Sequence, residues 1–133
     1  MKVKAIFATL VALMFSMSGV LVGAQAQEAA AGQKFVNVIK QNGRPAQKIV
    51  YSVSGAELFN HKQFVYTYDA QNRVAQVDVN LWNVEAARWE ARYSAIYTYD
   101  DGGFHQQVQE FNVGSLRYEI IADQSKIQEI FSL

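Results

Sequence analysis

The chain has 133 residues, of which half are hydrophobic, and its 12 basic and 12 acidic side chains balance. This length suits one domain with a modest core and is too short for two. The balanced charge argues against nucleic acid as a partner, because a protein that binds a polyanion generally needs a basic surface to displace counterions.

The N-terminal segment has the pattern of a secretory signal peptide. A basic start at 1–4 precedes an apolar run over 5–22, and Ala-Gln-Ala at 24–26 has small residues where signal peptidase cleaves. A transmembrane anchor is the alternative, since about 20 apolar residues span a bilayer. Ser16 within the run and the Ala-x-Ala ending favour the signal peptide, so residues 1–26 are predicted to be removed.

The residues that follow predict a protein outside the cytoplasm without a membrane anchor. No cysteine is present, so the chain has neither a lipid acceptor after the apolar run nor disulfide bonds. Ten basic and twelve acidic side chains lie after position 26. The stretch 27–34 has no apolar periodicity and is predicted to be a disordered leader. We expect a periplasmic or extracellular protein with no membrane span after signal cleavage.

Short alternating segments over 35–133 predict a single all-β domain. Turn residues separate these segments at spacings of about 8–12 residues, which is typical of antiparallel sheets. Asn42-Gly43 predicts a tight hairpin between the first two strands, because this pair accepts positive φ angles. Pro45, at the start of the second strand, fits a sheet edge. The predicted fold is an antiparallel meander of about six to eight strands, either an open barrel or half of a sandwich.

A repeated segment marks the middle of the chain. The segment 65–69, Val-Tyr-Thr-Tyr-Asp, returns at 96–100 as Ile-Tyr-Thr-Tyr-Asp. Each copy is predicted to be a strand that runs into a hairpin turn. In the first hairpin, alternate positions are apolar: Phe64, Tyr66 and Tyr68 in one strand, and Ala75, Val77, Val79 and Leu81 in the next. A turn at 101–102 predicts two pairs in the second hairpin: Tyr99 opposite Phe104, and Ala95 opposite Val108.

The loop between the two copies permits two registers. If Trp82 faces Trp89, the aliphatic row of the preceding strand lies beside Glu90 and Arg92. The other register keeps one apolar face, with the pairs Leu81–Trp89, Val79–Ala91, Val77–Tyr93 and Ala75–Ala95. Its solvent face then pairs Asp78 with Arg92, Asn80 with Glu90, and Trp82 with Arg88. We prefer this second register, because misplacing a whole apolar row costs more than charge pairs recover.

Two more strands are predicted at the C-terminal end, over 116–122 and 126–131. A helix is the main alternative over 84–97, where aromatic residues such as Trp89 and Tyr93 also follow a helical spacing. The repeat favours a strand there, because the second Tyr-Thr-Tyr-Asp copy begins within that stretch.

The tyrosine-rich units resemble a known family. The motifs are Tyr66-Thr67-Tyr68-Asp69 with Asn72-Arg73-Val74, then Trp82-Asn83 and Trp89, then Tyr97-Thr98-Tyr99-Asp100. Together they resemble the secreted Bacteroidales family catalogued as domain of unknown function 3836, and similar Tyr-x-Tyr-Asp units occur in YD-repeat proteins. The resemblance covers about 35–119 and implies fold and compartment, with no activity to carry over. The second copy departs from the pattern at Gly102-Gly103-Phe104-His105.

Few residues suggest catalysis or metal binding. The only histidines are His61 and His105, and no cysteine or Gly-x-Ser-x-Gly sequence accompanies them, so we interpret both as surface residues. Three aspartates lie where predicted strands end: Asp69, Asp100 and Asp123. Aspartate commonly begins turns, and these positions lack the spacing of a calcium loop. We expect no metal, no cofactor and no enzymatic activity.

A small carbohydrate-active hydrolase is the alternative function. Paired carboxylates hydrolyse glycosides, and the preferred register makes Asp78 and Glu90 near neighbours on the solvent face. Each has another partner there, Arg92 for Asp78 and Asn80 for Glu90, which favours a structural role. His105 is the remaining candidate for such an activity.

Trp82 is predicted to be the centre of a binding surface. In the preferred register it points away from the apolar face, where a flat ring can stack on a sugar while polar neighbours bind the hydroxyl groups. Those neighbours are Asp78, Asn80, Arg88 and Arg92. The alternative is that Trp82 packs against a second layer or a neighbouring strand. We predict a secreted, non-enzymatic binding or structural module of the bacterial envelope, whose partner is an unknown protein or glycan.

Overall fold

The computed structural model of the protein describes residues 33–133, which form one antiparallel sheet followed by a helix. The elements are β1 (Lys34–Gln41), β2 (Arg44–Ser54), β3 (Glu57–Tyr68), β4 (Val74–Asn83), β5 (Arg88–Asp100), β6 (Gly103–Asn112), β7 (Arg117–Ile121) and α1 (Gln124–Phe131). Strands adjacent in the chain are adjacent in the sheet, and β1 does not pair with β7. The predicted all-β meander is therefore confirmed, as an open sheet. The predicted signal peptide and positions 27–32 of the predicted leader lie outside the described residues.

The turns between the strands use the residues that the sequence indicated. Asn42 and Gly43 have φ angles of 54° and 78° between β1 and β2, as a tight hairpin requires. Asp69 accepts hydrogen bonds from the backbone amides of Gln71 and Arg73, both at 2.9 Å. These bonds stabilise the turn after the first tyrosine-rich strand, so this aspartate has a local structural role.

The pairs predicted for the second repeated hairpin are confirmed, and the apolar rows of the first also face each other. Phe64 lies opposite Val79 and Tyr66 opposite Val77 in the first hairpin. In the second hairpin the two predicted pairs are Tyr99 with Phe104 and Ala95 with Val108. The stretch 88–100 is strand β5, so the helical alternative for this part of the chain is wrong.

The core lies on one side of the sheet, which we call the helix face. Its buried residues come from five strands and the helix: Val50, Phe64, Val77, Val79, Ala95, Val108 and Ile130. Ile127 and Phe131 of α1 also pack against this cluster. The other side of the sheet, which we call the opposite face, bears Asn80 and Trp82, because side chains alternate along a strand.

The predicted strand over 126–131 is wrong, because this segment is part of helix α1. The side chain of Asp123 caps the helix by accepting a hydrogen bond from the amide of Ser125 at 2.9 Å. Ile127, Ile130 and Phe131 then fall on one side of the helix and cover the apolar sheet face. A further strand would have left this face exposed, which explains why the segment is helical.

The preferred register between β4 and β5 is also wrong along its whole length, because none of its four apolar pairs forms. Trp82 lies opposite Trp89, and Leu81 opposite Glu90. The ladder then skips Arg92, a β-bulge that shifts the register, so that Val79 faces Tyr93 and Val77 faces Ala95. The extra residue allows both the tryptophan pair and a continuous apolar row, which two regular strands cannot combine.

Candidate functional site

The predicted binding residues are divided between the two faces of the sheet. Asp78, Asn80 and Trp82 occupy alternate positions of β4 and therefore share the opposite face. Arg88 lies opposite Asn83, whose position in β4 directs it to the helix face. Arg92 is the residue that the ladder skips. The five residues thus do not surround one point, as the preferred register would have required.

Asp78 and Asn80 are engaged in polar contacts on the opposite face. Asp78 Oδ1 accepts hydrogen bonds from Gln76 Nε2 at 2.8 Å and Ser94 Oγ at 2.9 Å, and the predicted Arg92 partner is replaced by these two. Asn80 Nδ2 donates to Gln63 Oε1 at 2.8 Å, and Gln63 Nε2 donates in turn to Gln47 Oε1 at 2.9 Å. A row of amide side chains therefore crosses β2, β3 and β4.

Arg92 belongs to an ion network that joins three elements. Its Nε lies 3.3 Å from Glu110 Oε2 on β6, and Lys126 Nζ of α1 lies 2.8 Å from Glu110 Oε1. The hydrogen bond from Lys126, with the positive charges of Lys126 and Arg92, lowers the pKa of Glu110. The bulge makes this possible, because it turns Arg92 towards the edge where β6 and α1 meet.

Trp82 packs against Trp89 in an edge-to-face pair, with ring centroids 5.1 Å apart and ring planes at 72°. Its indole Nε1 is buried and has no hydrogen-bond acceptor in the described part of the chain. Arg88 does not lie over this indole as predicted, because its Nη2 binds Glu90 Oε2 at 3.1 Å. Glu90 also accepts a 2.9 Å hydrogen bond from Asn83 Nδ2. The Trp82 ring therefore packs against the neighbouring strand, as the alternative interpretation predicted.

A groove of about 790 Å³ lies between the β4–β5 turn and the start of the β6–β7 turn. Its lining comprises Leu81, Trp82, Asn83, Val84, Glu85, Arg88, Glu90, Ala91, Arg92, Phe111 and Val113. Three of the five predicted binding residues, Trp82, Arg88 and Arg92, belong to this lining. Phe111 and Val113 were not predicted as binding residues, although the predicted pair Ala95–Val108, counted on along both strands, brings Phe111 beside Arg92.

The second tyrosine of each repeated motif locks one hairpin to the next strand. Tyr68 Oη donates to the backbone oxygen of Pro45 at 2.6 Å, and the guanidinium of Arg44 lies 4.1 Å from the Tyr68 ring centroid. Tyr99 Oη donates to the backbone oxygen of Val74 at 2.6 Å. We call each of these arrangements a tyrosine latch. The motif that marks the sequence therefore has a structural role in the sheet.

Arginine completes the second latch as it does the first. The guanidinium of Arg73 lies 4.2 Å from the centroid of the Tyr99 ring. Arg73 also forms an ion pair with Asp69 through its Nε at 2.8 Å. Cation and ring are thus stacked at the same point of both hairpins, immediately after the turn.

The histidines do not assemble a catalytic or metal site. His61 lies in a pocket of about 400 Å³ near the end of α1, where burial and the charges of Lys34 and Lys62 lower its pKa. His105 Nε2 lies 2.7 Å from Asp100 Oδ2 in an exposed turn. Between residues 33 and 133, no three histidine or acidic side chains come close enough to share a metal ion. No helix in this part of the chain is long and apolar enough to cross a membrane.

The carboxylate pair that suggested a hydrolase is separated by the sheet. Asp78 lies opposite Ser94, and Glu90 lies opposite Leu81, three positions further along β4. Odd spacing along one strand places these side chains on opposite faces. Asp78 and Glu90 therefore cannot act together on one glycosidic bond, which requires both carboxylates on the same side of the substrate.

Comparison with known proteins gives a family and a fold. The sequence model of a family described as a family of unknown function, DUF3836, matches residues 1–127. The structure is similar to that of a DUF3836 family protein from Bacteroides vulgatus, with 23% identity, TM-score 0.63, and coverage of 68% of this chain and 93% of that chain. A second such protein, from Parabacteroides distasonis, shows 18% identity and TM-score 0.59, over 75% of this chain and 98% of that chain. No curated protein sequence matches the chain.

Proposed function

Because this chain belongs to the DUF3836 family, whose function is unknown, we propose its role from its own surfaces, as a non-enzymatic binding module of the bacterial envelope. Its ligand in this proposal is a glycan or a protein segment. Export is supported by the basic, apolar and small-residue pattern of 1–26, which is that of a signal peptide. The proposed location of the protein is the periplasm or the outside of the cell.

The groove beside the β4–β5 hairpin is the observation that carries this proposal. Its volume of about 790 Å³ lies within the range of roughly 300–1,000 Å³ that is common for ligand sites. Val84 and Val113 at its margins are strongly exposed, at 78% and 73%. Exposed apolar residues next to charged ones are typical of a surface that contacts a ligand.

Arg88, which lines the groove, has N–H donors that are available to bind a ligand. Arg88 uses Nε and Nη2 on a single oxygen of Glu90, and within the described residues its Nη1 has no partner. Its side chain is 70% exposed. A guanidinium carries five N–H donors in one plane, which suits it to sugar hydroxyls, carboxylates or backbone oxygens.

The test is binding of the purified protein to glycan arrays and to envelope proteins, followed by substitution of the groove. We expect Arg88→Ala to weaken binding about tenfold, because truncation of a central arginine at an interface removes several hydrogen bonds. Lys40→Ala, an exposed cation at the far end of β1, is the matched control and should bind as the native protein does.

Trp82 requires a milder substitution than alanine. Because Trp82 packs against Trp89, the substitution Trp82→Ala removes this aromatic contact at the end of the hairpin as well as any ligand contact. Trp82→Phe keeps an aromatic ring and removes the indole N–H. If neither Arg88→Ala nor Trp82→Phe changes the affinity of a confirmed ligand, the groove is not its binding site.

A further inference from the structure

The outer edge of β6 is only half covered. Strand β6 has ten residues and β7 has five, so β7 pairs with Val108–Asn112 alone. After Ile121 the chain leaves the sheet to enter α1, and Gly103–Gln107 have no strand on their outer side within the described residues. All five of these residues are exposed.

The open part of β6 has backbone groups free for a further strand. Asp100 and Gly103 close a two-residue turn, and such a closing pair is hydrogen-bonded across the hairpin. Because an antiparallel strand directs its backbone groups alternately to its two neighbours, Phe104 and Gln106 present theirs to the open side. An extended peptide can pair with such an edge by β-augmentation.

The hairpins β1–β2 and β3–β4 are the first two units of the repeat, and β5–β6 is the third. In the first two units, a tyrosine of the following strand contacts the outer edge of the hairpin. In the first unit Tyr68 donates to Pro45, the second residue after the Asn42-Gly43 turn, and in the second unit Tyr99 donates to Val74. The equivalent residue in the third unit is Phe104, the second after the Asp101-Gly102 turn. No tyrosine between residues 33 and 133 donates to its backbone oxygen.

Side chains around the vacant position favour an aromatic ligand. Phe104 is 62% exposed, and its ring centroid lies 5.9 Å from that of Tyr97 and 6.3 Å from that of Tyr99. Gly103 occupies the place of Arg44 and Arg73, so the residue opposite it has open space above the backbone. An aromatic side chain across from an edge glycine is a favourable pair in antiparallel sheets.

We propose that the open edge of β6, Gly103–Gln107, binds an extended peptide segment of a partner protein whose tyrosine donates to the backbone oxygen of Phe104. The segment completes a third unit of the repeat. A second copy of the chain is a poor occupant, because the edge Gly103–Gln107 contains no tyrosine that could form the latch with its symmetry mate. The site is separate from the groove beside the β4–β5 hairpin.

A peptide copied from the chain itself tests this proposal. We would titrate isotope-labelled protein with Gln-Phe-Val-Tyr-Thr-Tyr-Asp, the sequence of residues 63–69, and follow the backbone amide resonances by NMR. We expect saturable shifts at Gly103–Gln107, and about fivefold weaker binding when the second tyrosine of the peptide is replaced by phenylalanine, because one hydrogen bond is lost. Trp82→Phe protein should bind the native peptide unchanged, which separates this site from the groove.

A proline in the edge provides the matched protein variant. Gln106→Pro removes an amide that faces the open side and should abolish binding while the thermal unfolding temperature stays near the native value. If this variant does not fold, a peptide N-methylated on alternate residues tests the same main-chain pairing against native protein. The proposal is wrong if the peptide gives no shifts at millimolar concentration, if shifts arise elsewhere, if both peptides bind equally, or if the edge instead joins two copies of the chain.

Discussion

Lys62 on β3 donates a hydrogen bond of 3.0 Å from its ammonium group to the backbone oxygen of Ile130 in α1, although its residue surface is only 8% exposed. The same group donates to the backbone oxygen of Ser132 at 2.9 Å. The last carbonyl groups of a helix have no partner within the helix, and a buried cation here satisfies two of these oxygens. The sheet therefore holds the end of the helix that covers it.

Replacing Lys62 by methionine should destabilise the protein by about 1–3 kcal/mol, because the two backbone oxygens lose their donor while staying buried. Chemical denaturation measures the change in the free energy of unfolding. Lys40→Met, an exposed lysine on β1, is the matched control and should change it by less than about 0.5 kcal/mol. Equal stability of both variants would show that the Lys62 bonds do not hold the helix.

The network at Glu110 should make stability depend on acid pH. Its pKa is lowered from the usual 4.5 by Lys126 and Arg92, so the unfolded chain takes up a proton at higher pH than the folded protein does. The stabilisation by the Glu110 network is therefore fully present above the pKa of Glu110 in the unfolded chain. It is lost as the pH falls through the pKa of Glu110 in the folded protein. Unfolding curves of native protein and Glu110→Gln between neutral and acid pH should converge as the pH falls. A constant difference would contradict this assignment.

The two tyrosine latches should contribute similar amounts to stability. Tyr99→Phe and Tyr68→Phe each remove one hydrogen bond of 2.6 Å and keep the ring, so each should cost about 1 kcal/mol. Gln106 also donates to Tyr97 Oη at 2.7 Å, but this hydrogen bond is exposed to solvent, so Tyr97→Phe serves as the control with a smaller loss. A larger loss for Tyr97→Phe would mean that the latch is not the stabilising feature of the motif.

Phe64 is the core residue whose removal should be most damaging. It is 2% exposed, and its ring centroid lies 6.2 Å from that of Phe131 in α1. Phe64→Ala should cost about 3–5 kcal/mol, which is a large part of the total stability of a small domain. Phe104→Ala is the matched control, because Phe104 is exposed, and thermal unfolding should distinguish the two variants clearly. Comparable unfolding temperatures would mean that the core does not lie where Phe64 and Phe131 meet.

The sequence was sufficient for the hairpins because their determinants are local. Alternation of apolar residues selects strands, and a residue pair such as Asn42-Gly43 selects the tight turn that joins them. Once a two-residue turn is placed at 101–102, the opposition of Tyr99 and Phe104 follows from counting residues. The tyrosine latches were not predictable in this way, because they join residues more than twenty positions apart through atoms of the backbone.

The packing of α1 and the division of the predicted binding residues depended on the whole fold. In 126–131 the apolar residues Ile127, Ile130 and Phe131 have the spacing of a helix, which the strand prediction overlooked, and the fold supplies the apolar sheet face that they cover. At the end of β4, each register accounted for part of the pattern, whereas the bulge at Arg92 combines the Trp82–Trp89 pair with an apolar row that neither register predicted. Trp82 pairs with Trp89, and Arg88 pairs with Asn83 on the other face, because the observed register differs by one residue from the preferred one.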